Sequence, residues 1–156
     1  ARARTLKLLS IKGDKTVLKF HQELGHLIWN GVGMSRSQAV LEETIEGVRS
    51  LRSEFWQNLR VPGEANTLNK NLEFAGRVAD FMELGELMAR DALARKESCG
   101  SQFRTENQTA ENEAQRRDDA YSTAAAWKYK GDERVHDLVS ETLNFENVKL
   151  TQRSYK

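Results

Sequence analysis

The sequence predicts a mainly α fold, a bundle of three helices followed by an extended tail. Three observations carry that prediction. Leu41, Ile45, Val48, Leu51, Phe55 and Leu59 step by three or four residues and make one apolar stripe. The chain's only proline, Pro62, follows that stripe and precedes Gly63, so the helix must stop there. Beyond Lys96 the helical period is lost. The chain turns to Glu, Gln, Asn, Arg and Thr until aromatics return at Tyr121, Trp127 and Tyr129.

Leu6, Leu8, Leu9 and Ile11 form a first apolar cluster, which Gly13-Asp14 breaks. Over 15–30 the apolar positions are Val17, Leu18, Leu24, Leu27, Ile28 and Trp29, which fits the first bundle helix. Gly31 and Gly33 end it, and the 35–37 region, with serines at both ends, caps the next. The second helix carries the stripe. Glu42 and Glu43 sit near its expected start, where acidic groups suit the dipole, and Glu46, Arg49 and Arg52 lie off or beside the stripe. A third helix is expected from Asn66-Thr67 to about Lys96. Its apolar residues fall in two rows: Leu72, Ala75, Ala79 and Met82, and then Phe74, Phe81 and Met88. A helix in a three-helix bundle needs one buried face. The wider arc implies a second surface to cover, by the tail or a partner domain, and predicts self-association. Glu83 and Glu86 on this helix are expected to hydrogen-bond the tail's arginines.

In the tail, 126–130 alternates apolar and basic residues as a short strand does, and Gly131-Asp132 ends it. Val148 to Gln152 is a second candidate strand, pairing antiparallel with the first through a long connection. Asp118 and Asp119 are expected to cap a short helix over 120–126. The expected architecture is one structural domain. Residues 1–97 form a spectrin-repeat-like three-helix bundle, and 98–156 form an extended tail with a short antiparallel β pair packed on it.

Composition excludes several functions. The 156 residues carry a net charge of +1, so no field favours nucleic acid or an anionic membrane. No apolar run approaches the roughly 18 residues a membrane-spanning helix needs, so no direct membrane insertion is expected. The start, Ala1-Arg2-Ala3-Arg4, lacks both Met and an apolar signal core, as though cut from a longer chain. The single cysteine, Cys99, allows no internal disulfide and reads as an inert packed thiol in a reducing compartment. There is no G-x-G-x-x-G and no P-loop. His21 and His26 are five apart, on different helix faces, where a metal pair needs three or four, so no metal site is expected. Glu42/Glu43 and Asp118/Asp119 read as solvated charge rather than catalytic pairs, and no catalytic residue is assigned. Arg104 and Arg117 are candidates for bidentate carboxylate or backbone-carbonyl contacts that fix the tail.

One family has the same order of features. Here Glu-Leu-Gly-Glu-Leu over 83–87 precedes the helix end; Glu97-Ser98-Cys99-Gly100, Arg104, Arg117-Asp118-Asp119 and Trp127-Lys128 follow. This resembles the C-terminal helical domain of the flavoprotein subunit of succinate dehydrogenase and fumarate reductase. In that family a helical bundle ends in Glu-Ser-Arg-Gly-Ala-His-x-Arg, then Arg-Asp-Asp and a tryptophan. The start Phe20-His21-x-Glu23-Leu24-Gly25, with Trp29 and Met34, and the end Gln152-Arg153-Ser154-Tyr155 resemble the non-classical bacterial branch. Two residues depart: Cys99 stands for the family's arginine, as in that branch, and Gln102 for its histidine.

The resemblance implies a fragment without cofactor or activity of its own. The FAD-binding domain and the substrate-binding groups lie upstream in the family. The parent interconverts succinate and fumarate and passes electrons from FAD to an iron–sulfur subunit, peripherally on the cytoplasmic side of the inner membrane. The implied partners are the FAD-binding domain of the same subunit and the iron–sulfur subunit. Arg104, Arg117, Asp118, Asp119 and Trp127 become structural or interface residues. Alternatives are the equivalent domain of L-aspartate oxidase and a stand-alone helical protein-interaction module.

Overall fold

Three side-chain caps set where the long helices begin. Thr16 accepts from the Lys19 amide, Ser37 from Val40 and Asn69 from Leu72, each satisfying an amide that has no partner within its helix. The computed structural model describes residues 2–131 and 136–151. A short helix α1 (Arg2–Ser10) is followed by β1 (Lys15–Thr16), α2 (Val17–Gly31), α3 (Gln38–Asn58), β2 (Leu59–Arg60) and α4 (Lys70–Ala94). Because Asn69 is the cap, α4 starts three residues beyond Asn66-Thr67. The Asn69 amide also donates to the carbonyls of Pro62 and Glu64 and ties down the loop. Ser37 as cap puts Glu42 and Glu43 past the first turn of α3, so they do not face its positive end as expected.

The helix end at β2 is bound to the start of α2. Lys15–Thr16 pairs in parallel with Leu59–Arg60, and the Gly13 amide donates to the Leu59 carbonyl at 3.1 Å. A Cβ on Gly13 would lie 2.0 Å from the backbone of Asn58, so this close approach requires glycine. Gly31 similarly meets Thr44 where α2 and α3 cross.

These contacts place α2 antiparallel to α3, and His21 against Phe74 with Ile28 against Gly85 sets α2 parallel to α4. The core lies between them. Phe20 and Phe55 meet edge-to-face at 5.1 Å, fully buried with Val48, Val78 and Met82, and α1 adds Leu8. A second cluster joins Val32, Leu41, Ile45, Ala89 and Ala92. The first apolar row of α4, Leu72, Ala75, Ala79 and Met82, is buried as its spacing requires. The second row behaves differently: Phe74 packs on the core, whereas Phe81 and Met88 are exposed, together with Leu84.

The tail departs from its prediction. After α4 come irregular turns, a four-residue helix α5 (Asp118–Tyr121), and strands β3 (Thr123–Lys128) and β4 (Asp137–Thr142). The antiparallel register runs from Thr123↔Thr142 to Lys128↔Asp137. An antiparallel pair forms, but β3 begins before Ala126 and its partner is not Val148–Gln152. Closing the short connection over 129–136 costs less chain entropy than closing one to residue 148. Residues 143–151 hold no strand. Gln152, the terminal 152–155 motif, Asp132 and Ala1 lie outside the described residues. The expected helix over 120–126 ends at Tyr121, because 124–126 are taken into β3. Arg117 occupies the cap position of α5 without a side-chain bond. Asp118 and Asp119 lie inside the first turn and do not cap it.

Candidate functional site

The last carbonyls of α4 have no partners within the helix. No glycine follows Ala94 to close them; the chain reads Arg95-Lys96-Glu97. The tail supplies the donors instead. Arg104, 2% exposed, gives Nη1 to the carbonyls of Ala92 at 3.0 Å and Leu93 at 3.4 Å. Gln102 gives its Nε2 to Ala92 at 3.1 Å and Arg95 at 3.2 Å. The Tyr121 hydroxyl donates to Ala94 at 3.4 Å.

Two buried polar residues hold this lock in place. Ser98 Oγ accepts the Arg104 amide at 2.8 Å and donates to the Arg104 carbonyl at 3.1 Å. Glu97, 1% exposed, accepts from Arg95 Nε at 2.7 Å and from the Arg117 amide at 2.8 Å. Cys99 and Gln102 exchange backbone bonds in a tight reversal that aims Gln102 at the helix end.

The lock also reaches the start of α3. Arg36 and residues 103–105 exchange two backbone bonds, and the Arg36 guanidinium donates to the Gln102 side-chain carbonyl. Glu106 accepts the amide of Gln38, the first residue of α3, and Arg104 Nε at 3.3 Å. Burial pushes the Glu106 carboxyl up, but these bonds outweigh it and hold it below the usual range. Burial, with the charge of Arg104 nearby, lowers Arg36 despite the opposing pull of Asp91. An uncharged Gln102 between two guanidiniums adds no further repulsion.

The residues expected to matter divide into separate anchors. Arg104 makes the backbone-carbonyl contacts anticipated for it. Arg117 does not. Its backbone amide serves Glu97 while its guanidinium lies 5.9 Å from the Tyr121 ring centroid. The carboxylate contact belongs to its neighbour Arg116, whose Nε and Nη2 reach Asp118 Oδ1 at 2.9 and 2.6 Å. Arg116 also holds the Thr151 carbonyl at 3.0 Å. Asp119 is exposed. Trp127 Nε1 donates to Asp91 Oδ1 at 2.8 Å, binding the β ribbon to α4. Arg36, Arg116 and Tyr121 had no period or motif to mark them. The missing glycine after α4 was the available signal that side chains must close the helix.

Glu83 and Glu86 do not meet the tail. Glu86 accepts from Arg49 Nε at 3.0 Å, Arg52 Nη2 at 2.8 Å and Arg90 Nη2 at 2.8 Å, all on helices. Glu83 reaches Arg4 of α1 at 3.8 Å. Arg90 is one turn along the same helix, and α3 lies nearer than the tail. His21 packs edge-on against Phe74, at 5.3 Å. A shallow groove of about 590 Å³ between α2 and α3 has Glu23 and Glu54 on its rim, both held by Lys15. Among the described residues, no group of three or more His, Cys, Asp or Glu could hold a metal ion. No helix there is long and apolar enough to cross a membrane. The contacts of Gln102, Arg104 and Glu106 fasten the tail to the end of α4 and the start of α3.

Comparison with known proteins gives one answer. The family described as fumarate reductase flavoprotein C-term matches residues 21–155. The fumarate reductase flavoprotein subunit of Escherichia coli K12 is 26% identical over 110 residues, covering 70% of this chain and 18% of that protein. The subunit of Proteus vulgaris is 25% identical over 107 residues, 69% of this chain and again 18% of the relative. The matched part of the chain thus spans less than a fifth of the length of these relatives. Among solved structures, an Escherichia coli quinol fumarate reductase FrdA chain superposes with a TM-score of 0.80 at 21% identity, covering 95% of this chain and 24% of that one. Mycobacterium smegmatis Sdh1 superposes at 0.70 with 22% identity, covering 90% and 23%. The fold is common to these solved structures, and the chain belongs to the family of fumarate reductase flavoprotein C-terminal domains.

Proposed function

We propose that residues 1–97 and 98–156 act as one structural domain. It supports and docks the FAD-binding part of a flavoprotein subunit that interconverts succinate and fumarate. The parent passes electrons from FAD to an iron–sulfur subunit, in a complex peripheral to the cytoplasmic side of the inner membrane. In this reading the 156 residues hold neither flavin nor substrate. One observation carries it: the family's signature residues Glu97, Ser98 and Arg104 are buried and committed to backbone groups and neighbouring side chains of the same chain. Groups spent in this way are not free to bind substrate or move a proton. The exposed row Phe81, Leu84 and Met88 adds support, since it is an apolar surface left for a partner domain to cover.

The test pairs two preparations. The purified 156-residue chain is expected to show no flavin absorption band and no succinate oxidation. A full-length subunit with Arg104→Ala is expected to lose yield and activity together, with the flavin per folded molecule unchanged. A flavin band or turnover in the 156-residue chain overturns the reading.

A further inference from the structure

A cavity of about 520 Å³ opens at the end of the bundle where α2 and α4 begin. Val17 and Leu18 of α2, Phe74 of α4 and Pro62 make its apolar walls. Thr16, Arg60 and Asn71 are the polar groups among them, and among the described residues no carboxylate lines it. The walls are fixed from outside. The backbone of Arg60 is held between Thr16 of β1 and Lys12. The Pro62 carbonyl accepts from Asn69, and Phe74 packs edge-on against His21. A ligand therefore has little to order when it enters.

The polar groups, by contrast, are unspent. Among the described residues, the Arg60 guanidinium and the Asn71 side-chain amide make no ion pair and no hydrogen bond. Thr16 accepts the Lys19 amide and keeps its own hydroxyl proton. The neighbouring charges cancel. Lys15 and Lys19 serve Glu23 and Glu54, and Arg77 holds Glu73. In the adjoining chain, Lys12 and Lys70 are balanced by Asp14 and Glu64. Arg60, which lines the cavity itself, is left over, and its planar fork matches a carboxylate. The positive ends of α2 and α4 lie at the same mouth and act in the same direction. One negative charge suits this rim, and a body without polar groups suits the walls. The volume falls in the range of small-molecule sites, roughly 300–1,000 Å³. We propose that this cavity binds a small monocarboxylate with an apolar body, its carboxylate on Arg60 and Asn71 and its hydrocarbon between Leu18, Pro62 and Phe74.

The test is an amide NMR titration of the 156-residue chain with octanoate. Saturable shifts are expected at Val17, Leu18, Arg60 and Asn71. Arg60→Gln is expected to weaken binding at least about tenfold, through loss of the charge-assisted contact, and Leu18→Ser a few-fold. Both side chains are exposed, so neither change opens the core. Trp29→Ser, about three turns along α2 and also exposed, is expected to bind unchanged. Octanol, which lacks the charge, is expected to bind at least about tenfold more weakly than octanoate. Succinate, which brings a second charge to the apolar walls, is expected not to displace octanoate. The proposal is overturned if these residues show no saturable shifts or if octanol binds as tightly as octanoate. It is also overturned if Arg60→Gln or Leu18→Ser keeps full affinity, or if Trp29→Ser loses as much as Arg60→Gln. Displacement by succinate overturns it in favour of general anion binding. Tighter binding of N-acetyl-leucyl-leucine than of octanoate overturns it in favour of the carboxyl terminus of a peptide.

Discussion

Arg104 shows how a surface-seeking residue becomes a core residue. Its guanidinium is buried because the end of α4 offers it carbonyls and Glu106 offers a carboxylate. Neither part of the arrangement stands alone: the carbonyls need donors, and the charge needs acceptors. Arg104→Ala is expected to cost about 2–4 kcal/mol, since it leaves buried carbonyls unsatisfied and opens a cavity. Arg104→Lys keeps the charge but loses the fork, and is expected to recover less than about half of that. Urea unfolding of the three proteins checks the order. Equal stability of Arg104→Ala and the parent chain would remove the helix-closing role. Gln102 carries the same lesson at the family's histidine position. A neutral amide donates to two carbonyls with one end and accepts from Arg36 with the other.

At the scale of elements, α3 and α4 are joined by a charged network above an apolar core. Burial alone would raise the Glu86 carboxyl, but the bond from Arg90, the charge of Arg52 and the bond from Arg49 outweigh it and hold it low. Burial likewise opposes the charge of Arg49, and the bonds and charges of Glu86 and Glu46 raise it in spite of that. A carboxyl lowered on folding contributes stability that is complete above its unfolded value, about 4.3, and is lost as pH falls through the folded value. Glu54 and Glu106 are lowered too and act in the same direction. Glu86→Gln is expected to cost about 1–3 kcal/mol near pH 7, less than breaking a fully buried pair because the three arginines can be rehydrated. The gap to the unmodified chain should narrow toward about pH 3. Denaturation midpoints across that range measure it; a gap constant with pH would assign the loss to packing.

For the whole molecule, the uncovered surface is the distinctive feature. Phe81, Leu84 and Met88 on α4 and Leu18 and Trp29 on α2 are exposed. Leu138, Val139, Phe145 and Val148 of the ribbon and the segment after it are exposed as well. A two-stranded ribbon is marginal by itself in water, and this one is fastened to α4 by Trp127. Surfaces of this kind favour association. Sedimentation of the 156-residue chain is expected to show a weight-average mass rising with concentration, and Phe81→Glu to flatten that rise. A clean monomer at high concentration would contradict the expectation.

The sequence by itself determined the three long helices and much of the core. A stripe with period 3.6, a lone proline and the serine cap at 35–37 are local signals, and the packing of Leu41, Val48, Leu51 and Phe55 follows from them. The two-row pattern on α4 also implied a second surface to cover, by the tail or a partner domain; Phe81 and Met88 of that row are exposed. Tertiary structure alone decided how the tail is used. Which arginine finds a carboxylate, 116 rather than 117, depends on chain direction after an irregular loop. Which segment pairs with β3 depends on the entropy of loop closure rather than on the better alternation near Val148. That Glu86 is held by helix arginines and the α4 carbonyls by tail side chains depends on which elements end beside each other. Such contacts join residues far apart in the chain, and no local period encodes them.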